Sequence, residues 1–348
     1  MDKNGIIQPH SELKLTIYKK YLDRYLQIMI KQTYFKSIFI VEPFAGKGIS
    51  DNGKEGSAKI AYNIVNSNKN SGKDICLFLN EKQFYKVLEK NIPQNDMTKI
   101  YNFDADSFIN IFLQEIEKLP SCHTLMFIDP WGYTQIKHET YNILFKKGNI
   151  DILIFIPIYQ IYRFLRKEID EQQLKPISEF LSDMGISEKD ARESRDLDDF
   201  ICKISEAIKH KSGTDFVYHK ELKNVSHNNK HVLFFITRNI LGADKFLEVL
   251  YEINDSEVPL FNDIRLTDDK EFLQKLKSYH ILDNISFYEI CIKEGYSKKQ
   301  IKSYLENAEE EGKIKITQSS TQKRKKNCYY IDYTYYKGQD VRIRIEIL

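Results

Sequence analysis

Short runs of almost unbroken apolar residues recur along most of the chain: 37–42 (SIFIVE), 75–80 (ICLFLN), 99–103, 124–129 (TLMFID), 151–156 (DILIFI), 216–219 and 231–237 (HVLFFIT). Strands covered on one face alternate apolar and polar residues, whereas these runs read as strands buried on both faces. Segments of helical period precede or follow them, at 12–32, 57–68, 83–90 and 107–118. Strand and helix alternating at this spacing imply an α/β fold with a mostly parallel, doubly wound, Rossmann-like sheet. The last two strands, close together, suit an antiparallel edge pair.

Two stretches interrupt the alternation. Residues 163–213 are charged and helical and read as a helical insertion, a cap in which substrate contacts are expected. Residues 256–269 contain Pro259 and several acids and read as a linker. Beyond it come two helical stretches, a strand at 313–317, a polar loop and a strand at 328–336, the outline of a winged helix. The expected organisation is an α/β domain over 1–255, the linker, and a winged-helix domain over 270–348. The chain's 348 residues suit one large and one small domain.

Composition excludes several classes. Hydrophobic residues are 42% and charged residues 29%, so the chain folds rather than remaining disordered. A formal net charge of +2 does not by itself indicate nucleic acid, so any basic surface comes from uneven distribution. Cys76, Cys122, Cys202, Cys291 and Cys328 form no CxxC pair and point to free thiols, and no histidine spacing suggests a metal. The first twelve residues are polar and no apolar run reaches membrane length, so a cytoplasmic protein is expected. The abundance of Lys, Ile, Asn and Tyr is compatible with an AT-rich bacterial genome.

The first apolar run ends in Glu42-Pro43-Phe44-Ala45-Gly46-Lys47-Gly48. Two glycines after a buried strand let the backbone turn tightly and approach a ligand, with an acid just before them. The spacing is neither GxxxxGK[ST] nor GxGxxG, so no phosphate cradle is present. A ligand without phosphates, S-adenosylmethionine, fits better. It needs carboxylates for its ribose hydroxyls and a pocket for its amino-acid end. Glu81, just past the second strand, is placed for the ribose. After the third strand Asp104 is placed for the adenine amino group, with Asp106 as either a second candidate or a helix cap. The expected cofactor contacts are therefore Glu42, Phe44, Gly46, Gly48, Glu81 and Asp104.

The fourth strand ends in Asp129-Pro130-Trp131-Gly132-Tyr133. In amino-methyltransferases a similar tetrapeptide grips an exocyclic amine: the acid and the proline carbonyl accept its protons and an aromatic ring stacks on the base. Trp131, the only tryptophan, is either that stacking ring or a packing residue. His123 and His138, flanking this strand, read as surface or capping residues.

Together these motifs resemble the three-Cys-motif partner protein family over nearly the whole chain. The resemblance takes in His10 and Lys14 with Tyr18 or Tyr21, the Glu42–Gly48 turn, Gly56-Ser57, the Asp129–Gly132 motif, 154–163 and 234–242 (FFITRNILG). Here Glu42 stands where the family often has Asp, Lys47 where it often has Pro, and Ala58 where it has Pro. The resemblance implies a class I methyltransferase fold and a three-cysteine partner protein similar to radical adenosylmethionine proteins. The Asp-Pro-aromatic-Gly pattern also resembles tRNA guanine-N2 methyltransferases, so guanine stands beside adenine as a target.

A nucleic-acid substrate, RNA or DNA, is expected from the C-terminal module. Ser297 begins its second helix with Lys298 and Lys299 in the first turn, and Lys323, Arg324, Lys325 and Lys326 lie in its loop. Such cations suit phosphates, although the acids 306 and 309–311 oppose them. The expected activity is methyl transfer to an exocyclic amine of a base. The alternative is an inactive methyltransferase fold serving as a scaffold in a phage-defence or modification operon.

Overall fold

The computed structural model describes residues 9–119, 121–130, 132–167, 171–223, 230–255, 276–318 and 324–348. The chain divides into two compact units, 1–238 and 239–348.

In the first unit α1 (Pro9–Lys31) precedes β1 (Ser37–Glu42), α2 (Ser57–Ser67), β2 (Asp74–Asn80), α3 (Tyr85–Asn91), β3 (Thr98–Tyr101), α4 (Ala105–Glu117), β4 (Cys122–Ile128), α5 (His138–Lys146) and β5 (Ile150–Ile156). Four helices follow, α6 (Ile158–Leu165), α7 (Glu171–Met184), α8 (Glu188–Arg192) and α9 (Leu197–Ser212), then β6 (Val217–Lys223) and β7 (Lys230–Ile236). The strands form one sheet in the order β3-β2-β1-β4-β5-β7-β6. β1 through β5 are parallel, and β7 runs antiparallel to both β5 and β6. This is a doubly wound, Rossmann-like sheet with an antiparallel edge pair, as the alternation of strands and helices implied.

The apolar runs fold as their composition requires. Every residue of β4 and β5 is buried, whereas β2, one strand from the edge, buries alternate side chains over most of its length. On one face Tyr18 of α1 stacks on Phe127 with ring centroids 4.2 Å apart, and Tyr21 meets Phe235 edge-on. On the other, Phe39 and Phe78 pack on Phe112 of α4. The inserted helices are more than a cap. Phe180, Leu181, Phe200 and Ile204 continue the core formed by α4, α5 and the sheet. Arg166 donates to the Ser194 carbonyl and Arg192 to that of Leu165, tying the insertion together.

The second unit holds α10 (Ile240–Asp255), β8 (Ile281–Asp283), α11 (Asn284–Lys293), α12 (Lys298–Glu310), β9 (Ile314–Gln318), α13 (Tyr333–Gly338) and β10 (Ile343–Ile347). The unit boundary falls before α10, not at 255. The expected linker at 256–269 lies outside the described residues. Ser297 caps α12 in a capping box with Gln300, as its position implied.

The expected strand at 328–336 is corrected. Asp332 accepts the Thr334 amide at 2.9 Å and starts α13 there. The strand that pairs with both β8 and β9 is β10, whose Ile343, Ile345 and Ile347 are buried in strict alternation. Asn284, fully buried, holds the intervening segment by donating to the Tyr330 and Asp340 carbonyls and accepting the Arg342 amide.

Phe234 lies at the centre of β7, between Ile154 and His219, and is fully buried. Phe234→Ala should therefore lower unfolding stability by about 3–5 kcal/mol, read as a reduced urea midpoint.

Candidate functional site

β1 and β4 lie side by side, and the chain leaves their carboxyl ends toward opposite flanks of the sheet. Ligands of open α/β sheets sit in the crevice at such a switch point. Glu42 is the last residue of β1, and Asp129 follows β4.

The turn after β1 is held from several sides. The Ala45 amide donates to the Asn80 carbonyl and the Gly46 amide to Glu81 Oε2, at 2.9 and 2.8 Å. Asn80 also donates to the Pro43 and Phe103 carbonyls and accepts the Phe103 amide. Gly46 and Gly48 have φ of 63° and 74°, the left-handed region that favours glycine. Gly48 is further constrained by space: a Cβ there would stand 3.0 Å from the Ile92 side chain. Gly48 thus serves the packing of the turn onto α3.

Two chambers flank this turn and share Phe44. The first, about 230 Å³, is lined by Pro43, Asn80, Glu81, Phe103, Asp104 and Gln135 among others. The second, about 220 Å³, is lined by Lys14, Gly46, Ser57, Asp129, Pro130, Phe155, Gln160 and His231 among others.

The carboxylates have distinct surroundings. Glu42 is fully buried and accepts from Tyr18 Oη at 2.8 Å and Ser57 Oγ at 2.6 Å. Burial pushes its carboxyl up to about 8, against the lowering effect of those two bonds. It lines neither chamber and braces the wall between α1 and α2. Glu81 accepts three backbone amides, from Gly46, Gln83 and Phe84, and faces the first chamber. Asp104 caps α4 by accepting the Ser107 amide, which holds its carboxyl below the usual carboxylate range, and it lines the first chamber. Asp106 is no cap. It is buried and accepts from the Lys137 amide and Thr140 Oγ1, fixing the start of α5.

Asp129 meets a partner from far away in sequence. Lys14 Nζ is 2.5 Å from Asp129 Oδ2, with side-chain exposures of 5% and 25%, and lies 4.3 Å from the Phe155 ring centroid. The signal for this pair is a lysine on the buried stripe of α1, beside Leu13, Ile17 and Tyr18. A cation on an apolar helix face needs a buried counter-charge. Pro130 joins Asp129 in the second chamber. Tyr133 does not; it packs edge-on against Phe180. The Gly132 amide donates to Gln135 Oε1. Trp131 lies outside the described residues.

His123 is corrected: it is buried on β4 with Nδ1 2.9 Å from Tyr25 Oη, and burial lowers its pKa. His138 starts α5, half-exposed, with Nδ1 2.5 Å from Asp183. Among the described residues no group of three His, Cys, Asp or Glu side chains is placed to hold a metal ion. No described helix is long and apolar enough to cross a membrane.

The cations expected at nucleic acid are divided. Lys298 pairs with Asp332, and Arg324 is bound by Glu309 and lies 5.3 Å from the Tyr329 ring. Lys299 is exposed, 5.6 Å from the Tyr251 ring. Lys325 and Lys326 are exposed, and Lys323 lies outside the described residues.

No family model and no curated protein matches this chain. Among solved structures it is similar to the O-methyltransferase TomG of Streptomyces achromogenes, involved in tomaymycin synthesis and solved with S-adenosylmethionine. The identity is 9% over 63% of this chain and 79% of that one, with a TM-score of 0.34. It is also similar to an O-methyltransferase from Bacillus cereus in complex with S-adenosylhomocysteine, at 12% identity over 63% and 80% of the two chains and a TM-score of 0.30. Loganic acid methyltransferase with S-adenosylhomocysteine matches at 10% identity over 99% and 98%, with a TM-score of 0.26. These are likenesses of outline; the fold itself is read from strand order and register.

Glu42 yields a pH prediction. Its folded pKa of about 8 lies above the ordinary 4.5. Between those values the folded protein keeps a proton that the unfolded chain releases, so stability falls as pH rises through this window. Glu42→Gln should flatten that decline, measured as urea midpoints from pH 5 to pH 8.

Proposed function

We propose that this protein is an S-adenosylmethionine-dependent methyltransferase whose acceptor is an exocyclic amine of a nucleic-acid base. The observation that carries the reading is the pair of chambers meeting at the Gly46 turn, with Glu81 and Asp104 in one and Asp129 and Pro130 in the other. The adenosine end of the cofactor belongs in the first chamber, with Glu81 on the ribose and Asp104 toward the adenine. The second chamber would receive the methyl donor's reactive end, with Asp129 and the Pro130 carbonyl placed to orient the amine.

Catalysis in this reading is mainly proximity and orientation, because the sulfonium is already an activated donor. The bound cofactor would supply the activated methyl group, while Asp129 and the Pro130 carbonyl would accept hydrogen bonds from the amine and aim its nitrogen lone pair, the amine's extra proton passing to solvent after transfer. A base reaching so enclosed a carboxylate has to be single-stranded or flipped out.

The second unit, with sheet order β8-β10-β9 and α11 and α12 between its first two strands in sequence, is read as a winged helix that holds nucleic acid. The kinship with three-Cys-motif partner proteins, and with it a radical-adenosylmethionine-like partner, belongs to the same proposal. A second reading, an inactive scaffold subunit, is favoured by one observation: the carboxylates of Glu81 and Asp129 are both engaged within the protein.

Calorimetry with S-adenosylmethionine should show binding, with Glu81→Ala weakening it by about 1–3 kcal/mol. Asp129→Ala should abolish transfer of radiolabelled methyl to tRNA, rRNA or DNA while binding cofactor. A fully active variant removes Asp129 from the mechanism, and cofactor binding without any acceptor among these nucleic acids favours the scaffold.

For the wing, replacing Lys325 and Lys326 with serine should weaken nucleic-acid binding equally across sequences. It should flatten the log–log salt dependence by about 0.7–0.9 per lost phosphate contact. An unchanged slope would assign the second unit to protein docking.

A further inference from the structure

Lys14 has a task that the cofactor and acceptor assignments leave open. Among the described residues lining the second chamber it is the one lysine or arginine. Its side chain is almost completely buried, which is justified only by a partner. The partner present is Asp129, the residue assigned to the acceptor. The 2.5 Å contact with Lys14 neutralises the Asp129 carboxylate and occupies Oδ2, which weakens it as an acceptor for an incoming amine.

Resting on the methyltransferase reading, we propose that Lys14 is an interlock: its ammonium holds Asp129 and passes to the α-carboxylate of the cofactor's methionine end when that cofactor enters, freeing Asp129 for the acceptor. The chemistry of the chamber points this way. With the adenosine in the first chamber, the shared wall at Phe44 directs the amino-acid end to the second. That end carries a carboxylate, which needs a charge-assisted donor.

The geometry permits the exchange. The Lys14 backbone is fixed by the buried tyrosines one to three turns along α1, while its four-carbon stem and compact ammonium can reorient about the Phe155 ring. The move also sets an order. Asp129 released from Lys14 is a largely enclosed charge without its counter-ion, and an amine that donates to it restores the balance. Cofactor therefore binds first, and the acceptor second.

The test uses the full-length protein and calorimetry with two ligands, S-adenosylmethionine and its decarboxylated form. Wild type should bind the decarboxylated form about 10- to 100-fold more weakly, the loss of one charged hydrogen bond. Lys14→Met should bind intact S-adenosylmethionine more weakly by a similar factor and no longer distinguish the two. Lys14→Arg, which keeps the cation, should still distinguish them, separating loss of charge from damage to the fold. If Lys14→Met binds and retains the wild-type discrimination, the interlock is wrong while the cofactor assignment stands. If wild type binds neither ligand, the cofactor assignment fails and the interlock with it.

Discussion

Three tyrosine hydroxyls on one stripe of α1 hold the large unit in register. Tyr18, Tyr21 and Tyr25 are all buried, and each finds its partner on a different strand: Glu42 of β1, Asp151 of β5 and His123 of β4. Asp151 in turn accepts from Thr237 Oγ1, just past β7. A buried hydroxyl left without a partner costs about 1–3 kcal/mol. Sliding α1 by one turn would strand all three together. Lys14 lies one turn before Tyr18 on the same stripe, so the interaction that docks the helix also delivers the ammonium to Asp129.

The rest of the crevice depends on the same seam. β1 and β4 are neighbours, so the carboxyls of Glu42 and Asp129 at their ends fall near enough in the middle of the sheet that, beyond burial, Asp129 also pushes the Glu42 carboxyl up. The fold treats them differently. Glu42 has two hydroxyl donors and no cation in hydrogen-bonding contact, and burial drives it toward its neutral form. Asp129 has the cation. Two ionised carboxylates side by side in this space would repel each other, and giving Lys14 to one of them while the other tends to keep its proton avoids that. Asn80 completes the frame. Its side-chain amide joins the turn after β1 to the loop after β3 by bonds to both backbones.

What could be read from the sequence was what depends on near neighbours. The strands of the sheet announced themselves because a strand buried on both faces has no freedom to be polar, and the glycine turn because Gly46 and Gly48 need positive φ. What depended on distant partners was hidden. Asp104 and Asp106 are two residues apart with the same chemistry, and only Lys137 and Thr140, brought in by α5, decide which is buried and which is the cap. The tyrosines at 329–336 satisfied the β-propensity of a strand. Yet the alternation of Ile343, Arg344, Ile345, Glu346 and Ile347 is the stronger pattern, because each isoleucine faces a core and each charge faces away. Trp131, which the sequence left as either a stacking ring or a packing residue, lies outside the described residues.

The same distinction between a charge and its availability governs the second unit. A run of basic residues has the composition of a phosphate-binding wing, but Arg324 is drawn back onto Glu309, itself bonded to the Tyr329 hydroxyl, and Lys298 onto Asp332. These pairs fasten the segment after β9 to α12, and α12 to the start of α13. Their cations act as internal ties, and a phosphate could take them only by breaking contacts that shape the unit. Lys299, Lys325 and Lys326 remain exposed. With a formal net charge of only +2 over the whole chain, attraction to nucleic acid cannot come from a general field. Any such attraction would have to come from a few exposed lysines, while Glu309, an acid that would be expected to repel a phosphate, instead ties Arg324 and Tyr329 to α12.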